Sequence, residues 1–115
     1  MNKFDSELDC SKGTNTMAEK KYLASLSEEA RNSLEILGEN IAIARKARGW
    51  SQKEAAERFQ MSKTTLVAVE KGDPKSSIGS YLAALDIMNL LDGLDSIAAS
   101  HRDPITRAAK ISPRR

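Results

Sequence analysis

Between Ser62 and Lys71 the sequence reads SKTTLVAVEK. At helical spacing this stretch puts Ser62, Lys63, Thr64, Val67, Ala68 and Lys71 on one outward face. The face is short, polar and basic, with small apolar groups among hydrogen-bonding ones. Its chemistry is recognition. A lysine can donate to the acceptor atoms of guanine, and threonine or alanine can touch a thymine methyl in the major groove. On an ordinary bundle the same face would be a solvated surface, so its meaning depends on how the helix is held.

The holding elements are legible. Ser51 can cap a helix over Gln52 to Phe59 by accepting from a free N–H of its first turn, and Ser62 can cap the next helix in the same way. Gly72 stops that second helix, because glycine enters the left-handed conformation without a Cβ penalty. Only Gln60 and Met61 remain for the turn, so the two helices must cross steeply, as in a helix-turn-helix. Ala56 is small where they meet. Leu66 and Val69 turn one stripe of the second helix inward.

The length of 115 residues predicts one domain with tails. Aromatic residues make up only 4%, so the core must be aliphatic and rich in small residues, as in helical bundles. The net charge of +2 is too small to signal a nucleic-acid partner, but its distribution is uneven. Seven basic residues face three acidic ones from Arg45 to Lys71, and five face one over the last fifteen positions. Local positive patches of this kind draw a protein to phosphate. Cys10 is the only cysteine and His101 the only histidine, so neither an internal disulfide nor a cysteine or histidine metal cluster is expected. No apolar run approaches the ~20 residues of a membrane span. The first residues do not read as a signal peptide, and a reducing cytoplasm is the expected compartment.

Residues 1–26 read as a flexible N-terminal tail, residues 27–100 as the helical domain, and residues 101–115 as a loose basic tail. Ser27, followed by Glu28 and Glu29, opens a helix predicted to reach Arg48, with Leu34, Leu37, Ile41 and Ala44 at spacings of three and four. Gly38 weakens it by roughly 1 kcal/mol relative to alanine and is a candidate break. Trp50 is read as a plug between this helix and the next. Arg45 and Glu70 are either unrelated surface charges or a partly buried ion pair. After Asp73-Pro74-Lys75, Ser77 caps a helix whose period runs Ile78, Leu82, Leu85 and Met88 or Asn89, with Tyr81 flanking. A last helix is predicted from Leu90 to Ser100. Its Leu90, Leu91, Leu94 and Ile97 exceed what a small core needs, which points to a dimer contact.

The run ARKARGWSQKEAAERFQMSKTTLVAVEKGDP resembles the Cro/C1-type (XRE) helix-turn-helix family. The resemblance implies an all-α, five-helix, lambda-repressor-like DNA-binding domain. It implies base contacts by Lys63, Thr64 and Ala68, with Ser62 and Lys71 at the edges. Ser51, Gln52, Ser62, Lys71 and Lys75 are then the phosphate contacts, and Arg45 and Glu70 match the family's structural ion pair. One position departs: the turn usually holds glycine and here has Gln60. The stretch from Glu39 through SSIGSYLAAL to the terminal SPRR is similar to one branch, the Hip-type (HipB-like) antitoxin regulators. Members of that branch repress their own operon as dimers on palindromic operators and hold a kinase-like toxin.

These readings leave three function classes. The first is a dimeric, sequence-specific repressor of double-stranded DNA, expected to be an antitoxin, with a phage-type repressor lacking a toxin as the alternative. The second is a protein-interaction module that keeps the fold without reading DNA. The third, an enzyme, is disfavoured: there is no Gly-rich phosphate loop, no cysteine–histidine pair and no convergent carboxylate set, and no cofactor is implied.

Overall fold

Serine begins four of the helices, and each start is the same local event. In the computed structural model, which describes residues 17–111, the hydroxyls of Ser27, Ser51, Ser62 and Ser77 each accept a first-turn N–H, from Ala30, Glu54, Thr65 and Ser80 respectively. These caps open α2 (Glu28–Ala47), α3 (Gln52–Phe59), α4 (Lys63–Glu70) and α5 (Ile78–Ile87). At Ser51 the cap is reciprocal, because the Glu54 carboxylate accepts the Ser51 N–H at 2.9 Å. Flanking them are α1 (Met17–Ala24) and α6 (Pro104–Ala109), with single 3₁₀ turns at Leu94–Ser96 and Ser100–Arg102. The described residues are all-helical, without strands.

The core sits between α2, α3, α4 and α5. Ile41, Ala55, Leu66, Val69 and Ala84 are fully buried, with Ala56, Phe59, Tyr81 and Met88 nearly so. Leu34, Leu37, Ala44, Trp50, Met61 and Leu85 pack around them. The helix-turn-helix pair is α3 and α4. Between them Gln60 takes the left-handed conformation, φ 59°, that glycine usually supplies. The turn is therefore kept and not reshaped, and its N–H groups still close the helix: Gln60 donates to Glu57 O and Met61 to Ala56 O.

Several boundaries differ from the expectation. α2 runs unbroken through Gly38, because this glycine is a contact point and not a weak link. A Cβ there would lie 2.5 Å from Val69 O and 2.7 Å from Glu70 O and Gly72 N. Gly72 completes the crossing from the other side: its own Cβ would meet Leu34 O and Glu35 Cα at 2.6 Å. Two bare backbones touch where the end of α4 crosses α2.

In α5 the inward face is Tyr81, Ala84 and Met88, while Ile78 is 73% exposed. The Tyr81 hydroxyl decides the phase by donating to Asp73 O at 2.9 Å, which ties the α4–α5 loop to the helix. Burial, assisted by the Asp73 charge, pushes the Tyr81 phenol above its ordinary pKa.

The helix expected over Leu90–Ser100 is absent. Asn89, just before that stretch, and Gly93 and Ala98 within it all have positive φ, so the chain turns repeatedly and leaves only the short 3₁₀ turns. The two expected tails also contain helices, α1 and α6, the latter capped by Asp103 with Pro104 at its first position. Residues 1–16, including Cys10, and residues 112–115, including Arg114 and Arg115, lie outside the described residues.

Candidate nucleic-acid interface

The buried anchor of the site is Glu70, the last residue of α4. Arg45 Nε donates to Glu70 Oε2 at 2.6 Å and Arg45 Nη2 to Oε1 at 3.1 Å, so the guanidinium clasps the carboxylate with two bonds. Arg45 Nη1 donates to Trp50 O at 2.9 Å. Both side chains are nearly buried, at 9% and 7% exposure. Gln52 Nε2 adds a third bond to the carboxylate, reaching Oε1 at 3.0 Å. One acidic group thus ties α2, the first residue of α3 and the end of α4 together. Two-point bonding to a planar guanidinium fixes orientation as well as distance. Removing one partner would strand a buried charge.

Around this anchor, α4 divides cleanly. Leu66 and Val69 are sealed inside. Ser62, Lys63, Thr64 and Lys71 are exposed, and Val67 and Ala68 are half-buried between the two sets. The first-turn amides of Lys63 and Thr64 have no intrahelical carbonyl to meet, and they carry the positive end of the helix dipole outward. Such a helix start holds anions.

The remaining sequence-derived residues fall at different places. Ser51 is exposed at the start of α3, with its hydroxyl capping Glu54 N. The Ser62 hydroxyl accepts from Thr65 N and donates to Thr65 Oγ1, so it already works inside the protein. Gln52 is half-buried and its amide is engaged by Glu70. Lys75 is exposed, its N–H donating to Asp73 Oδ1 in the loop after α4. Ser51 and Gln52 sit at the start of α3, where the Gln52 amide meets Glu70 at the end of α4, whereas Ser62, Lys63 and Thr64 are at the start of α4 and Ala68 is in its last turn. Lys71 and Lys75 lie past the far end of α4. Leu90, Leu91, Leu94 and Ile97 are separate from this face, on the segment after α5.

Other supporting residues were not singled out by the sequence reading. Glu54 completes the Ser51 cap, and the Ser-x-x-Glu spacing was its visible signal. Arg48 clamps two helix ends, donating to Ala44 O at 2.9 Å and Met88 O at 3.1 Å. Arg58 stacks over Trp50 at 4.4 Å, and Phe59 meets the tryptophan in an edge-on contact at 6.2 Å. Among the described residues no group of histidine, cysteine, aspartate and glutamate could hold a metal ion. No helix among them is long and apolar enough to cross a membrane.

Residues 41–89, from the middle of α2 to just past α5, match the family model described as helix-turn-helix. That match falls on the capped α3–α4 helix pair and supports a DNA-binding regulator. No curated protein and no solved structure matches the chain.

Proposed function

We propose that this chain is a repressor that binds palindromic operator DNA as a homodimer in the cytoplasm, and serves as the antitoxin of a Hip-type toxin–antitoxin operon. The observation that carries the DNA reading is the division of α4. Its Leu66 and Val69 face is fully buried while Ser62, Lys63 and Thr64 stand exposed at the helix start. Lys63, Thr64 and Ala68 read base edges. Ser51, Gln52, Ser62, Lys71, Lys75 and the free amides of α4 position the backbone. The dimer is supported by unburied apolar residues: Leu90 is 43% and Ile97 69% exposed. Leu94 and Ile97 also line an apolar cleft of about 260 Å³ with Leu34, Leu37, Ile78 and Leu82. Two copies on a two-fold axis would read half-sites about one helical turn, ~34 Å, apart. The antitoxin role, with a kinase-like toxin as partner, rests on the resemblance of the sequence to that branch.

Footprinting on the DNA upstream of the chain's own reading frame tests this. A folded Lys63→Ala, Thr64→Ala double variant should lose roughly 1–3 kcal/mol per base-edge contact and relax its base preference. Unchanged affinity would sink the groove assignment. Because Leu94 is half-buried in the cleft, Ile97→Glu is the cleaner probe of the dimer: it should give a folded monomer by light scattering.

A further inference from the structure

The first half of α2 lies outside the stretch that matches the helix-turn-helix family. It nevertheless carries a basic group beside the loop that leaves α4. Gly72 sets that loop down on α2 at Leu34 and Glu35. Arg31 stands one helical turn before Glu35, on the same side of α2. From Gly72 the chain continues through Asp73, Pro74 and Lys75. Leu23, Ala24 and Arg31 on one side, and these three loop residues on the other, line an open cleft of about 420 Å³.

The cleft is polarised toward anions. Arg31 and Lys75 bring two cations to it, against one carboxylate, Asp73. Asp73 Oδ1 accepts the backbone N–H of Lys75, so this carboxylate is engaged by its own loop. Arg31 Nη2 donates to Leu23 O at 2.6 Å, which closes the end of α1 and anchors the guanidinium. A guanidinium held through one nitrogen keeps its remaining N–H donors in a fixed fork, the geometry that suits phosphate oxygens. An ammonium on the opposite wall supplies a point charge. Lys75 is exposed in the loop that follows Lys71, so the cleft is carried by the segment that leaves α4.

We propose that this cleft seats a backbone phosphate of the bound duplex, beyond the groove-reading face, with Arg31 and Lys75 as its ligands and the end of α1 as its wall. The inference rests on the reading of α4 as a DNA-recognition helix. It adds a contact from residues that precede the matched domain, and so lengthens the strand of DNA that one copy covers.

The test is equilibrium binding of the full chain to a fluorescent mixed-sequence duplex of about 30 base pairs over a range of KCl concentrations. Each phosphate contact contributes about 0.9 to the slope of log affinity against log salt. The Arg31→Gln, Lys75→Gln double variant should lower the slope by about that amount, and each single variant by part of it, because both act on one phosphate. Ala24→Glu keeps both cations but puts a carboxylate in the cleft, and it should weaken low-salt binding severalfold. An unchanged slope in either folded cation variant overturns the proposal. Should circular dichroism show Arg31→Gln unfolded, the Lys75→Gln slope and the Ala24→Glu affinity decide in its place. Binding that is lost in Lys63→Glu, yet indifferent to all three cleft variants, overturns this proposal alone. A wild-type chain without salt-dependent binding overturns the parent reading, and this one with it.

Discussion

α4 and α6 are both short and both well begun. α4 has eight residues under the Ser62 cap, and α6 has six under Asp103 with proline at its first position. Each is shorter than the ~12–15 residues at which an isolated helix becomes even marginal in water. Only α4 is anchored. Its Leu66 and Val69 are fully buried and its last residue is clasped by Arg45 and Gln52. α6 buries nothing, and Ile105 is 79% exposed. A cap therefore sets where a helix starts, while burial sets whether the rest of the molecule depends on it.

That contrast can be broken most forcefully at Glu70. Glu70→Ala strands the Arg45 guanidinium inside and should cost about 3–5 kcal/mol in urea melts. Adding Arg45→Ala should then cost less than a second independent loss. Additive small effects would make α4 no better anchored than α6. The α3–α4 turn gives the next largest effect, with the opposite sign: Gln60→Gly relieves a left-handed non-glycine residue and should stabilise by roughly 1–2 kcal/mol. Tyr81→Phe should cost about 1 kcal/mol at neutral pH through the lost bond to Asp73 O. The phenol's folded pKa is raised, so its contribution is complete below the unfolded value near 10 and is lost as pH rises through the folded one. The gap between wild type and Tyr81→Phe should therefore close in alkaline melts. The smallest change is expected at α6, where Ile105→Ser should stay within about 0.5 kcal/mol. A larger loss would show that α6 is held by more than its own cap.

The parts legible in the sequence are those governed by local chemistry. Ser27, Ser51, Ser62 and Ser77 announce their helices because a cap needs only its own first turn. The all-helical fold and the α3–α4 pair follow from those caps, Gly72 and the Leu66–Val69 stripe. What was not legible depends on partners distant in sequence. Gly38 reads as a flaw until the carbonyls of Val69 and Glu70 arrive against it. The α5 phase is ambiguous because apolar residues lie almost all round it; the Tyr81 bond to Asp73 O chooses between faces. Leu90 to Ile97 has helical spacing but no serine cap, and Gly93 with φ 90° interrupts it. At the candidate site, side-chain types could be read, but their engagements could not. Nothing local says that the Gln52 amide lies on Glu70, or that the Ser62 hydroxyl is shared with Thr65.

The glycine crossing of α2 and α4 has a consequence for chain length. Gly38 and Gly72 meet backbone to backbone, so the 33 positions between them form a loop with a fixed count. One residue added inside α3 or α4 would rotate every later residue of that helix by about 100° about its axis. A side chain would then be delivered to a crossing with no space for a Cβ. The segment from Leu90 to Asp103 has no such closure and lies mostly at the surface. Insertions and deletions should therefore be confined to that segment, and the distance from Gly38 to Gly72 should act as a ruler for any related chain that keeps both glycines.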